Sequence, residues 1–369
     1  MPLSLYPPPL RYHESLEQVE PDEADTVEQL IATLTDINQT TLDNSGHAWR
    51  SVHAKSHALL TGELVVPGDL PRELAQGIFA KPGTYPVVLR LSTVPGDILD
   101  DSVSTPRGMA LKIIGVEGAR LPGSEGATTQ DFVLVNGPAF IASTAKKFAS
   151  SLKLTAATTD RAEGAKKALS AVLRGTERVL EAFGSRSSTL IALGGQPETH
   201  PLGDTYYSQA PMRFGDYVVK VSVAPRSPNL TRLTDATLNV NGKPDGLRDA
   251  MREHFAAQGG EWDLRVQFYT DPDTMPIEDA SVPWPEEKSP YLEVARLVVQ
   301  PQPAWNDARR AAIDDGLAFS PWHGVVEHRP LGSVMRARRV AYKVMAKFRA
   351  HHNKVNIKEP TSLDDLKLV

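Results

Sequence analysis

Three runs, YPVVLRLSTV (85–94), RGMALKIIGV (107–116) and DFVLVNGPAF (131–140), constrain this chain more than any other feature. Each is rich in β-branched and large apolar side chains, which pack well on a pleated surface, and Gly, Pro and Ser turns separate them. No helical period intervenes, so the runs read as neighbouring antiparallel strands of a barrel or sandwich. Strand patterns return in DTYYSQAPMRFGDYVVKVSVAP (204–225), WDLRVQFYT (262–270) and VARLVVQP (294–301). Leu64, Val65 and Val66, ahead of Pro67 and Gly68, read as the end of an earlier strand.

Elsewhere the apolar period changes to 3.6. Asp22 to Thr41 carries acidic residues in its first turn and apolar ones at Val27, Leu30, Ile31 and Leu34, an amphipathic helix. KKFASSLKL (146–154) and AEGAKKALSAVLRGTERVLEAF (162–183) place helices between strands, and LRDAMREHFAAQ (247–258) adds another. Four Pro within the first nine residues make the N-terminus an extended arm. The pattern predicts an α+β fold in three parts. These are an arm and helix over 1–45, a β-barrel with a helical insertion over 46–330, and a C-terminal helix and tail over 331–369.

Composition narrows the function. With 41% hydrophobic and 23% charged residues, the 369-residue chain is too apolar for disorder. A net charge of −5 offers no global field toward nucleic acid or anionic membrane. The absence of cysteine excludes disulfides, thiolate-bound zinc, iron–sulfur clusters and a thiolate nucleophile. No basic segment leads into an apolar one at the N-terminus and no run of 18 apolar residues occurs, so a cytoplasmic protein without membrane insertion is expected.

One helix stands out. In SVMRARRVAYKVMAKFRAHHN (333–353), Arg338, Tyr342, Met345 and Arg349 fall within an arc of roughly 60° at 100° per residue. A guanidinium one turn from a phenol favours the phenolate, a hard anionic ligand for ferric iron. The plainer reading is a basic amphipathic helix with a half-buried Tyr. Upstream, His53 in RSVHAK is either a structural histidine or a general base, its pKa lying near neutrality. Arg90 and Ser92 share one strand face, and an inward guanidinium there needs a bound anion or an internal carboxylate.

These segments agree with a known family. RSVHAK (50–55), LRLSTV (89–94), PRGMALK (106–112), DFVLVNGPAF (131–140), VPWP (282–285), VARLVV (294–299), AFSPWHG (318–324) and RVAY (339–342) resemble, in the same order, signature segments of the haem catalases. The resemblance implies a haem b cofactor with Tyr342 as the iron ligand, the tyrosine ligation known from catalase, and Arg338 keeping it ionised. It makes His53 the acid–base residue on the opposite side, with Val52 beside it over the ring and Ser92 bonded to its other ring nitrogen. Arg50, Arg90 and Arg349 fall on the propionate-binding positions, and Phe148 on the ring that stacks against the porphyrin.

Two departures accompany the match. Aligned without a gap, the family's distal Asn falls on Val135, with Asn136 one residue later. Either a local bulge brings Asn136 into the pocket as a catalytic amide, the reading favoured, or that amide is missing and peroxide binding is weaker. The chain also stops soon after Tyr342, like the small catalase-related peroxidases. The implied function is reduction of hydrogen peroxide or organic hydroperoxides with some catalase activity, served by a small organic electron donor. Fatty-acid hydroperoxide isomerisation of the allene-oxide type and non-catalytic haem binding are the alternatives. A homodimer is the assembly this shortening implies.

Overall fold

The computed structural model describes residues 7–156 and 197–368. Its centre is a closed antiparallel barrel. Strands β1 (Ser56–Val66), β2 (Gly83–Thr93), β3 (Arg107–Ile114) and β4 (Thr129–Val135) follow one another as neighbours. The two-residue β5 (Tyr206–Tyr207) pairs with β4 through Val135↔Tyr207 and with β7 (Tyr217–Pro225) through Tyr206↔Val223. From β7 the ring continues through β8 (Gly260–Phe268) and β9 (Leu292–Val299) back to β1, while the short β6 (Met212–Phe214) hangs on β7. Closure leaves no unpaired edge around the ring, the usual liability of an open sheet.

Period-two alternation decides which side chains point inward. Leu60, Leu89, Leu111 and Phe132 are successive register partners across β1 to β4, and all four are buried in the barrel core. Burying each is worth roughly 1.5–3 kcal/mol. One residue along, Leu59, Arg90, Ala110 and Val133 form the next row and face outward. That outer face is covered rather than solvated, which is why Arg90 is 3% exposed.

Helices supply the cover. Helix α1 (Glu23–Ser45) ends at Gly46, whose φ of 69° suits a left-handed cap. It packs with α2 (Ala145–Ala156) and the last helix through Leu30, Leu34, Ala145, Ala149, Ala337, Ala341 and Met345. Helix α3 (Gly246–Ala257) lies against β1. The last helix, α4, spans Ser333–Asn353. Ahead of it, a single turn at Asp307–Arg309 opens into a π-helix over Arg310–Asp315. Among the described residues no helix is long and apolar enough to cross a membrane.

The helix expected over 22–41 therefore forms and runs on to Ser45. Of the expected helical insertion, α2 forms, while the stretch 162–183 lies outside the described residues. The strand expected to end at Val66 begins ten residues earlier than that end, at Ser56, with a bulge between Ser56 and Ala58.

Candidate active site

The candidate site takes residues from the outer face of β1–β4 and from α4, the two being joined through Asp314, whose carboxylate accepts from Arg90 and whose carbonyl accepts from Arg349. His53 sits just before β1 in a left-handed conformation, φ 57°, which a side chain with a Cβ adopts at a cost. Its N–H donates to Val94 O at 2.7 Å, and the Arg90 guanidinium donates to its carbonyl at 2.8 Å. Its Nδ1 lies 3.1 Å from Ser92 Oγ, leaving Nε2 as the ring nitrogen available to a substrate. Under the ring is Gly108, where any Cβ would stand 2.5 Å from the imidazole. Gly108→Ala is accordingly expected to lower unfolding stability by about 1–3 kcal/mol, as overpacking does. An unchanged denaturant midpoint would show that the ring has other room.

Desolvation, reinforced by Arg90, Arg338 and Arg50, pushes the His53 pKa down to about 3. The imidazole is thus neutral at physiological pH, a proton acceptor surrounded by cations. Arg338 of the last helix is thus among the cations that bear on this imidazole.

Three arginines meet at one end. Arg90 Nε donates to Asp314 Oδ1 at 2.6 Å, and Ser56 Oγ donates to Asp314 Oδ2 at 2.5 Å. Arg349 donates to the carbonyls of Asp314 and Leu317 at 2.6 and 3.0 Å, and Arg50 to those of Ile313, Asp314 and Leu317 at 3.0–3.3 Å. Carbonyls accept hydrogen bonds but bring no net charge, so among the described residues Asp314 is the carboxylate bonded within the three guanidiniums. Asp315 also acts on Arg50 and Arg349 but is itself paired with Arg310 at 3.0 Å. Burial, then the neighbouring Arg349 and Arg90, hold Arg50 well below its ordinary pKa. Burial likewise brings Arg349 down to about 10. Burial alone would raise the Asp314 carboxyl, but Arg90 and Arg50 hold it below the usual range. Buried Arg50 Nε has no partner among the described residues. The end of the site therefore carries two positive charges in excess and a free donor, which suits a dianionic ligand.

Along α4, Tyr342 is half-buried on the stripe between Arg338 and Arg349. Its hydroxyl has no hydrogen-bond partner among the described residues. Arg338 does not bond to it; the guanidinium lies 5.2 Å from the Phe140 ring centroid, with Nη1 3.7 Å from Met335 Sδ. Phe140 in turn meets Phe148 of α2 at 5.0 Å between centroids. Val52, Val135, Phe140, Phe148 and Tyr342 are all half-buried, and apolar side chains with a few polar groups at defined points are the make-up of a cofactor slot.

One expectation is corrected. The β3–β4 register runs without a shift, so no bulge turns Asn136 into the slot. Val135 pairs with Gly108, itself opposite Ser92, so it is Val135 that shares their outward face. The Asn136 amide is committed elsewhere, its Oδ1 accepting from Arg107 N at 2.8 Å and its Nδ2 donating to Asp204 at 2.9 Å. Asp204 is also salt-bridged to Arg107 at 2.9 Å, and these bonds hold the amide away.

The structure gathers Arg50, Arg90 and Arg349 around Asp314, sets His53 against Ser92, and places Arg338 by Phe140, which meets Phe148. Val52 and Tyr342 are half-buried, and Asn136 is bonded elsewhere. Sequence reasoning missed Asp314, Phe140 and Gly108. Gly108 sits within a segment already singled out, whereas nothing local distinguishes Asp314 from its neighbour Asp315.

Solved structures share this fold. A fungal catalase superposes with a TM-score of 0.60 at 19% identity, over 89% of this chain and 67% of that one. A bacterial catalase gives 0.56 at 17% identity, over 85% and 60%, and catalase A of Saccharomyces cerevisiae 0.56 at 18% identity, over 85% and 63%. The closed eight-strand barrel with its helices is thus the catalase-like fold, and the chain spans 60–67% of these proteins' lengths. No family model and no curated protein sequence matches the chain.

Proposed function

We propose that this protein is a haem-dependent peroxidase that reduces hydrogen peroxide or organic hydroperoxides, with some catalase activity. The observation that carries the reading is the charge balance at Arg50, Arg90 and Arg349, where Asp314 is the bonded carboxylate and nearby Asp315 is already paired with Arg310. A haem brings two propionates, which matches the excess, and a flat apolar ring, which matches the slot.

Tyr342 would hold the iron, being the half-buried phenol on the stripe of α4 between Arg338 and Arg349. Phe148 and Val52 would offer the ring apolar contact. Bound haem would supply redox-active iron, the electron-transfer chemistry that peroxide reduction needs. The chain's own part is proton handling. Neutral His53 accepts a proton at Nε2 from the near oxygen of the hydroperoxide and returns it to the departing oxygen, which leaves as water or an alcohol. Ser92 at Nδ1 and Gly108 beneath keep the ring in place for both transfers. The overall reduction would draw its two electrons from a second hydrogen peroxide or an organic donor.

The test is an absorption spectrum of the purified protein with added haem, followed by an oxygen electrode. A stable Soret band and peroxide consumption are expected; no band at all would overturn the reading. Val135 offers no hydrogen bond to a small peroxide, so Val135→Asn is expected to raise hydrogen peroxide turnover about fivefold, roughly the worth of one hydrogen bond. Unchanged turnover would mean that residue 135 does not face the substrate.

A further inference from the structure

Away from the slot lies a second group of charges that this reaction does not use. Lys112 of β3 and Asp131 of β4 are both fully buried and paired at 2.8 Å. His323 Nδ1 is 3.2 Å from Asp131 Oδ2 and 3.2 Å from Glu359 Oε1, and Lys112 reaches Glu359 Oε2 at 2.5 Å. Thr129 Oγ1 also donates to Glu359, at 2.6 Å. Asp131, His323 and Glu359 have the spacing of a metal site, their ligand atoms lying within 4.8 Å of one another. The Lys112 ammonium already stands among them, however, and two cations balance two carboxylates without an ion.

What matters is where the four residues come from. His323 belongs to the loop entering α4, and Glu359 to the segment leaving it, while Lys112 and Asp131 belong to barrel strands. The entering loop is tied on to the helix, because Trp322 Nε1 donates to Met335 O at 2.7 Å and Arg339 covers the Trp322 ring at 5.2 Å. The leaving segment goes on to bury Leu366 against Leu59, Val88, Ile313, Leu317 and Phe319. Phe319 lies under Lys112 and also under Arg50, at 5.5 and 5.7 Å from its centroid.

We propose that Lys112, Asp131, His323 and Glu359 form a clamp that fastens both ends of α4 to β3 and β4, making them positioning residues that set the width of the slot between Tyr342 and His53. The effect on the slot rests on the haem reading above; the fastening of α4 does not. A buried four-charge group suits this role because removing one member leaves an uncompensated charge, so the clamp is whole or broken rather than graded. Burial would lower the pKa of His323, but Asp131 and Glu359 raise it to about 9, so the clamp is complete at neutral pH. The charged groups facing His323 are Lys112, Asp131 and Glu359, with Arg120 acting on both carboxylates.

Hydrogen exchange on the full chain as purified tests this without needing haem. In Glu359→Gln, amides of α4 are expected to exchange about tenfold faster or more, with β7 and β8 unchanged, since local opening and global unfolding are separable. Lys112→Met should act likewise, and the double variant Lys112→Met/Glu359→Gln, which restores charge balance, should recover much of the protection. In the unaltered protein, α4 protection corrected for intrinsic exchange should fall as pH rises through about 9, and His323→Gln should remove that step. Unchanged α4 exchange in Glu359→Gln, equal loss in β7 and β8, a double variant worse than both singles, or no step near pH 9 would each overturn the clamp. The pH series needs no variant to fold. If α4 responds as expected but no haem binds, the clamp stands and the haem reading falls.

Discussion

Tyr342→Phe is expected to abolish stable haem binding, or to leave a weakly bound haem with a displaced Soret band. The substitution removes one oxygen from the half-buried stripe between Arg338 and Arg349 and keeps the ring, so packing against α1 and α2 changes little. Groups that merely support a metal ligand cost about 10–100-fold in affinity when lost, and loss of the ligand itself should exceed that. Haem titration followed by absorbance measures the difference directly. An unaltered affinity and spectrum would remove Tyr342 from the iron, whatever the remaining residues do. Arg349→Leu serves as the companion, because it should weaken haem binding through the propionate end while leaving the ligand spectrum in place.

His53→Ala has the opposite signature. Haem should bind as before, while peroxide turnover falls by about 10²–10⁴, the usual worth of general acid–base catalysis. The pH dependence follows from the depressed pKa of about 3. Turnover carried by neutral His53 should be flat through the neutral range and decline only as the pH falls toward 3. Stability shows the same depression with a wider window. In the unfolded chain a histidine titrates near 6.5, so between about 6.5 and 3 the unfolded state binds a proton that the folded state refuses. Folding free energy is therefore lost as pH drops through that range. His328, buried among Phe79, Phe132 and Phe214 and likewise pushed down to about 3 by burial, adds to the loss. A urea midpoint that does not decrease between pH 6.5 and 4 would contradict both assignments.

Much of the barrel was legible because β2, β3 and β4 follow one another along the chain, each with enough apolar residues to show its pattern. Strand β5 was legible only within the longer run 204–225, since two residues, Tyr206 and Tyr207, carry no period of their own, yet they close the ring. The face of α4 was legible for the same reason as the strands: Arg338, Tyr342 and Arg349 are related by helix geometry alone. His53 and Ser92 could be singled out, but their approach to 3.1 Å depends on a left-handed residue ahead of β1 and on the glycine beneath the ring.

Asn136 shows where local reasoning misleads. A bulge would have brought its amide into the slot, and nothing in VNGPAF opposes one. The decision lay with Arg107 and Asp204, which hold both ends of that amide, and with an unbroken register to β3.

By itself, then, the sequence determined the antiparallel strand pattern, the helix stripe that bears Tyr342, and the exclusion of thiolate chemistry. These depend on residue type and on periods of 2 and 3.6, which the chain carries locally. Only the tertiary structure decided that Asp314 answers Arg90, that Val135 rather than Asn136 faces the slot, and that Glu359 returns to Lys112 and His323. Each joins residues far apart in the chain, and whether a buried charge is paired or in excess depends on every group that the fold brings within reach of it.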